Sequence, residues 1–143
     1  MSVFSCCQTN VMTVSPEDTA YDAANIMEEW NVGSVIVKEN ERPIGIVTDR
    51  DLVVRVITTR KIPEETSIRE IMTRDPVIVK GDTGLYETME QIKGKGIRRL
   101  PVVDSDGRLQ GIITVDDLIR LLAAEINCIS GVLDKELCKI PAR

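Results

Sequence analysis

The first feature of the chain is a helical spacing of apolar residues that occurs once in each half. Between residues 16 and 32, apolar side chains recur every three or four positions, which is the period of one helix face. The same spacing returns between residues 81 and 97. Pro16 and the polar residues beside it are typical of a helix start, and Gly94 and Gly96 are typical of a helix end. The two segments therefore predict one amphipathic helix in each half.

Two β-hairpins are predicted after these helices, because each helix is followed by a pair of short segments rich in valine and isoleucine. The segments lie near 34–38 and 42–48 in the first half and near 99–103 and 108–114 in the second. The sequence DSDG at 104–107 is typical of a turn. A short apolar segment ahead of each helix predicts one more strand per half.

Each half ends in a further helical pattern, over Asp49–Thr58 and over Val115 to about Ile129. The order strand, helix, strand, strand, helix is thus predicted in residues 1–60 and again in 61–130, with 131–143 as a short tail. Units of about 60 residues are marginal alone. We therefore expect an α+β fold whose halves pack sheet face to sheet face about a pseudo-two-fold axis. The last helix is apolar over much of its surface, which predicts a homodimer interface.

A phrase repeated in both halves is the clearest sign of internal duplication. Residues 45–52 read GIVTDRDL and residues 111–118 read GIITVDDL, 66 positions later, with six of eight positions identical or exchanged between valine and isoleucine. Upstream of the second copy, residues 67–79 align with residues 2–14 at an offset of 65. A repeat of this kind indicates one structural unit that is used twice.

The repeated phrase has two interpretations. Thr48-x-x-Asp51 and Thr114-x-x-Asp117 both fit the capping box, in which the hydroxyl and the carboxylate bond free amides at a helix start. The same two groups also suit a ligand, because a carboxylate accepts hydrogen bonds from ribose hydroxyls, as it does in dinucleotide-binding folds. The residues alone leave open helix capping by itself and a nucleotide site with its ribose at the aspartate.

Cations for the phosphate of such a nucleotide are present in the second half. Arg98 and Arg99 open a strand that is predicted to end near the same cleft, and the planar guanidinium group suits phosphate oxygens. The aligned positions of the first half are Gly33 and Ser34, so the cleft is predicted to be electrostatically asymmetric. A solvated strand end is the alternative interpretation of the two arginines.

Composition argues against several classes of function. The 143 residues carry a net charge of −5, which argues against binding of nucleic acid or of an anionic membrane surface. No apolar run reaches the ~18 residues that span a bilayer, and the N-terminus lacks the pattern of a secretory signal, so we expect a cytoplasmic protein. The sequence contains no histidine, no plausible nucleophile triad and no phosphate-binding glycine loop, so we expect no enzymatic activity.

Four cysteines lie in pairs near the two ends of the chain, at Cys6, Cys7, Cys128 and Cys138. In the alignment of the repeats, Cys6 and Cys7 fall on apolar positions, which favours small buried side chains. A disulfide that ties the two ends together is a second interpretation, although such bonds are rare in the cytosol. A zinc site is a third, and it would need an unusual ligand set made only of cysteines.

Taken together, the motifs resemble the CBS domain, which is named for cystathionine β-synthase. The resemblance rests on the repeated G-I-V/I-T-x-x-D-L phrase, on the lead-in from Met72 to Pro76 and on the strand from Leu100 to Asp104. It extends from about Val3 to Ile129, so the chain is identified as a tandem CBS pair, or Bateman module. The resemblance implies two β-α-β-β-α repeats, two clefts between the packed sheets, and a homodimer of such pairs.

The resemblance also implies a function and a set of binding residues. Many CBS pairs are regulatory modules that bind AMP, ADP, ATP or S-adenosylmethionine, and we expect AMP here, with a target protein that the sequence does not name. A dimerisation or docking module without a small ligand is the alternative. The aspartates would hold ribose, the threonines would lie near ribose or phosphate, and the arginines at 98 and 99 would bind phosphate. Just before the aspartates, Arg50 would favour phosphate and Asp116 would oppose it. The implied nucleotide-binding residues are Thr48, Arg50, Asp51, Arg98, Arg99, Thr114, Asp116 and Asp117, with Thr13, Val14, Ile36, Ile78 and Pro101 around the adenine.

Overall fold

Two mixed β-sheets organise the fold, and each takes most of its strands from one half of the sequence. The computed structural model describes residues 1–137. The first half forms β1 (Thr13–Val14), α1 (Ala20–Glu29), β2 (Ser34–Glu39), β3 (Arg42–Thr48) and α2 (Asp49–Leu52). Two short elements, α3 (Ile68–Ile71) and β4 (Thr73–Arg74), lead into the second half. The second half forms β5 (Val79–Lys80), α4 (Leu85–Ile92), β6 (Arg99–Val103), β7 (Leu109–Thr114) and α5 (Val115–Leu137).

The two halves use the same strand pairing, so the predicted α+β repeat is confirmed. In the first sheet β1 runs parallel to β2, and β2 runs antiparallel to β3. In the second sheet β5 runs parallel to β6, and β6 runs antiparallel to β7. Valine and isoleucine fill both cores, which are almost free of aromatic side chains among the described residues. The hairpins place the repeated Thr-x-x-Asp phrase at the same point of each half, where the last strand gives way to a helix.

The ends of the predicted helices follow local signals in most cases. Thr19 caps α1, and its side chain and that of Asp22 bond each other's backbone amides at 3.1 and 2.9 Å. After α4 ends, Gly94 and Gly96 take left-handed φ angles of 75° and 67°. Such angles favour glycine, which has no Cβ to clash with the backbone. These glycines therefore end the helix as predicted.

The final helices of the two halves differ from the prediction and from each other. The first was predicted as one regular helix to Thr58, but only Asp49–Leu52 is α-helical, and Val53–Ile57 forms a π-helical turn. The second was predicted to end near Ile129, whereas α5 continues through Gly131 to Leu137. The first seven residues of the predicted tail are thus helical, and residues 138–143 lie outside the described residues.

The core of each half also contains side chains from the segment that begins the other repeat. Ile68 and Ile71, which precede the second repeat, are fully buried in the core of the first sheet. Val3, at the start of the first repeat, is fully buried in the core of the second sheet. Strand β4 pairs with β3, and Gln8 in turn pairs with Ile112 in β7. The exchange is reciprocal, as a pseudo-two-fold arrangement requires, and each sequence repeat is completed by a segment of the other.

Candidate functional site

The repeated threonine and aspartate form a capping box at the start of the final helix in both halves. In the first copy, Thr48 Oγ1 accepts a hydrogen bond from Asp51 N at 3.2 Å, and Thr48 N donates to Asp51 Oδ2 at 2.9 Å. In the second copy, the equivalent bonds between Thr114 and Asp117 are both 3.1 Å. The capping interpretation is therefore confirmed in geometry. It occupies Oδ2 of each aspartate and leaves Oδ1 for another partner.

The free oxygens of the two aspartates meet different neighbours. Asp51 Oδ1 lies 3.7 Å from Nε of Arg55, one turn further along the same helical segment. Asp117 Oδ1 instead accepts a hydrogen bond of 2.9 Å from Nε2 of Gln8, which lies 109 residues away in the chain. Arg120 Nη1 is also near Asp117 Oδ1, at 3.8 Å. Only 16% of the Asp51 side chain and 13% of the Asp117 side chain is exposed, so both carboxylates are mostly covered by protein.

A cleft lies beside each copy of the motif. The first cleft has a volume of about 240 Å³ and is lined by Ile46, Thr48, Gly96, Ile97, Arg98 and Arg99. The second cleft is larger, about 370 Å³. Its lining is Gln8, Asn10, Val11, Met12, Asn31, Val32, Gly33, Ser34, Ile36, Arg99, Ile112, Thr114, Asp116 and Arg120. Each cleft thus combines one motif threonine with at least one arginine.

Arg99 lines both clefts and is the charge that they share. Its Nη2 atom lies 3.2 Å from the position that a side-chain carbon at Gly33 would occupy, so a larger residue at position 33 would displace the guanidinium group. Arg98 is held differently, because its Nη2 atom pairs with Asp116 Oδ1 at 3.4 Å across the strand end. Asp116, which was expected to oppose phosphate, thus has a cation beside it at the exposed end of the strand.

The other predicted binding residues are placed less uniformly. Ile36 lines the second cleft from within the sheet, where it is fully buried. Val14 and Pro101 are also buried and support the strands beside the clefts. Seven of the predicted residues line neither cleft: Asp51, Asp117, Arg50, Thr13, Val14, Ile78 and Pro101. A role in contacting a ligand stays a prediction for every residue of the predicted site.

The cleft residues that were missed in the sequence include Gln8, Asn10, Asn31 and Arg120. Arg120 follows Asp117 by three positions on α5, so helical spacing alone would have placed both on one face. The other three come from turns or from the exchanged N-terminal segment, where no periodic pattern indicates which surface a side chain faces.

The cysteines follow the apolar interpretation as far as they are described. Cys6 and Cys7 are half-buried and pack against the second core, while Cys128 is exposed on α5. Burial disfavours the thiolate and so raises the pKa of Cys7. These three side chains are free thiols, and no group of three potential metal ligands occurs within the described residues. Cys138 lies outside the described residues, so a disulfide that involves it stays a prediction.

The family follows from comparison with known proteins. The model of the CBS domain matches this chain twice, over residues 3–58 and 68–124. The chain belongs to the CBS-domain family. The two matches are the two halves described above, and pairs of CBS domains are regulatory modules.

Three similar proteins illustrate the settings in which this pair occurs. An uncharacterized protein of Methanopyrus kandleri, MK0525, is 42% identical over 122 residues, which are 85% of this chain and 62% of that protein. Inosine-5'-monophosphate dehydrogenase of Methanocaldococcus jannaschii is 37% identical over 78% of this chain and 21% of the enzyme. The crystal structure of CBSX2 in complex with AMP superposes with a TM-score of 0.73 at 27% identity, covering 88% of this chain and 98% of CBSX2. The chain therefore spans less than two thirds of both sequence relatives.

The described helices were also compared with the requirements of a membrane span. Within residues 1–137, no helix combines the length and the apolarity that crossing a bilayer requires.

Proposed function

We propose that this CBS pair is a regulatory module that binds an adenine nucleotide, AMP first among the candidates, in the clefts between its two halves. The observation that carries the proposal is Arg99, which lines both clefts beside the threonine of each repeated motif. ADP, ATP and S-adenosylmethionine share the adenosine group and are the other candidate ligands. The AMP in the related CBSX2 structure supports the same class of ligand.

The chemistry of each cleft suits the parts of a nucleotide. The carboxylate oxygen that each helix cap leaves unused can accept hydrogen bonds from ribose hydroxyls, which are donors, although in Asp117 this oxygen also accepts from Gln8. The guanidinium group of Arg99, which forms no salt bridge with any described residue, suits the phosphate. Val11, Met12 and Val32 line the second cleft and offer apolar surface against which a purine ring can pack, with fully buried Ile36 behind them in β2.

We further propose that the module carries no chemistry of its own and acts on a separate target. The motif aspartates are engaged in helix caps, which accounts for them without general acid–base catalysis. The effect on the target would come from the change in the module when the nucleotide binds. A cytoplasmic location is consistent with this role.

A second candidate function, dimerisation or docking, is favoured by one observation on α5. Five apolar side chains recur along this helix at alternating steps of three and four, and each is between 48% and 64% exposed. They are Ile119, Leu122, Ile126, Ile129 and Leu133, which we call the α5 seam. This spacing is that of a coiled-coil seam. A homodimer through the α5 seam is compatible with nucleotide binding, and both properties can belong to one regulator.

A thermal-shift titration with AMP, ADP, ATP, S-adenosylmethionine and GMP tests the nucleotide proposal. A ligand at 100 times its dissociation constant should stabilise the fold by about 2.7 kcal/mol, which is easily detected. We expect a rise in melting temperature with at least one adenosine compound and none with GMP. If none of the adenosine compounds raises the melting temperature, the conserved geometry of the two motifs serves helix capping alone and the docking function takes precedence.

A further inference from the structure

The contact between Gln8 and Asp117 has no counterpart in the first half. Gln8 belongs to the exchanged N-terminal segment, and its backbone is fixed by two hydrogen bonds of 2.9 Å to Ile112 in β7. From this fixed position its side-chain amide donates to Asp117 Oδ1 at 2.9 Å. The position that corresponds to Gln8 in the other repeat is Thr73, whose side chain is too short to do the same.

The aspartate of the first motif is consequently less engaged than that of the second. Within the described residues, no side chain from another segment donates a hydrogen bond to Asp51. Its nearest charged neighbour is Arg55 Nε at 3.7 Å, which is longer than a hydrogen bond. Arg55 is drawn away because its Nη1 atom donates to the carbonyl oxygen of Ile71 at 2.8 Å. A ribose hydroxyl that reaches Asp51 Oδ1 therefore breaks no hydrogen bond from another side chain of the described residues.

Gln8 also links the second cleft to its aspartate. Gln8 lines the second cleft and bonds Asp117, which itself lines a separate hollow with Met1 and Cys6. Asp51 likewise lies outside the lining of the first cleft, but no described side chain from another segment is bonded to it. A side-chain amide and a ribose hydroxyl are both hydrogen-bond donors, so they compete for the same carboxylate oxygen.

We propose that Gln8 acts as an internal competitor for the ribose site at Asp117, so that the two clefts bind adenine nucleotide unequally and the first cleft fills first. The inference rests on the proposed function and concerns how nucleotide binding is divided between the two clefts. A ribose hydroxyl can replace the Gln8 amide at Asp117 Oδ1 when the exposed Gln8 side chain rotates away, and the backbone bonds to Ile112 stay in place. Arg120, 3.8 Å from the same oxygen, remains beside it. This competition depends on the exchange of segments, because Gln8 belongs to the start of the first repeat but bonds the aspartate of the second.

The test isolates the second cleft and then removes the competitor. Asp51→Ala disables the first cleft, and AMP affinity is measured by calorimetry in that background with and without Gln8→Ala. We expect Gln8→Ala to tighten the remaining site roughly threefold to tenfold, the range of one solvent-exposed hydrogen bond. Gln8→Asn, whose amide is one methylene shorter, should act in the same direction. Gln91→Ala, a surface glutamine on α4, is the matched control and should change nothing.

The reciprocal background separates this inference from a general effect on the fold. With Asp117→Ala in place of Asp51→Ala, only the first cleft binds, and Gln8→Ala should leave its affinity unchanged. Unchanged or weaker binding at the second cleft after Gln8→Ala would overturn the competitor role while leaving nucleotide binding intact. Absence of AMP binding by the unmutated protein and by every variant would overturn the proposed function and this inference together.

Discussion

Replacing Gly111 by alanine is expected to destabilise the fold through the exchanged N-terminal segment. Gly111 is buried in β7, opposite Val102 in β6. An added Cβ would lie 2.7 Å from the backbone oxygen of Gln8 and 2.7 Å from Cys7 Sγ. Both distances are far below van der Waals contact, and the backbone oxygen cannot rotate away. The segment that carries Gln8 must therefore shift from the sheet.

The size of the effect follows from what is known of overpacked cores. Insertion of a methyl group into a packed core typically costs about 1–3 kcal/mol. For a chain of this length, each kcal/mol lowers the melting temperature by roughly 3–4 °C. We therefore expect Gly111→Ala to melt roughly 3–12 °C below the unmutated protein in circular dichroism or scanning fluorimetry.

A second glycine provides a control with the opposite expectation. Gly131 lies within α5, and an added Cβ there would meet no atom within 4 Å. Alanine at this position gains helix propensity of about 0.5–1 kcal/mol, so Gly131→Ala should melt no lower than the unmutated protein. If Gly111→Ala melts at the same temperature as Gly131→Ala, the exchanged segment does not pack on β7 and the argument for Gln8 loses its basis.

Three further predictions concern the α5 seam, the shared arginine and the thiols. Ile126→Glu should convert a dimer to a monomer in light scattering, because it places a charge in the seam, whereas Asn127→Glu beside the seam should not. Arg99→Ala should weaken AMP binding about tenfold in calorimetry, the loss typical of one charged hydrogen bond. Cys7 should be alkylated more slowly than exposed Cys128 at mildly alkaline pH, as followed by mass spectrometry, because its raised pKa leaves less of the reactive thiolate.

Each of these three has an outcome that would contradict it. An unchanged mass for Ile126→Glu would mean that the α5 seam does not hold two copies together. Full AMP affinity in the Arg99→Ala variant would exclude the shared arginine as the phosphate ligand. Equal alkylation rates would mean that the N-terminal segment is not packed on the second core in solution.

Much of the fold could be predicted because the signals are local and occur twice. The Thr-x-x-Asp phrase fixes a helix start within four residues, and its capping geometry is the same in both halves. The hairpins follow from apolar segments around short polar turns. The repeat also supported each predicted helix and strand, because a weak sequence pattern in one half was matched by the equivalent pattern in the other half.

The exchange of the lead-in segments could not be predicted in the same way. The apolar pattern of Ile68 and Ile71 indicates that these side chains are buried, but not in which core. Either sheet could have received them, and the choice depends on how the two halves pack. The continuation of α5 was missed because Ser130 and Gly131 are poor helix formers, yet the α5 seam carries the helical spacing through to Leu133.

The candidate site was predicted only in part, because some of its residues lie in local repeated motifs and others are brought in by long-range contacts. Its threonines and Arg99 line the clefts, and they lie in or beside the repeated phrases and the hairpins, where the sequence signal is strong. Gln8 meets Asp117 across 109 residues, and only the exchange of segments brings the two together. A contact between residues so far apart in the chain produces no periodic pattern from which a single sequence could predict it.

The most direct test of the account is the AMP affinity of the double variant Asp51→Ala, Asp117→Ala, measured by calorimetry beside the unmutated protein. Both substitutions also remove a helix cap, so the matched control is Asp22→Ala, which removes the cap of α1 away from the clefts. We predict that the double variant loses roughly 10- to 100-fold in affinity, as expected when charged hydrogen bonds to ribose are removed, while Asp22→Ala binds normally. Equal affinity in the double variant and the unmutated protein would contradict the claim that the repeated aspartates bind the nucleotide.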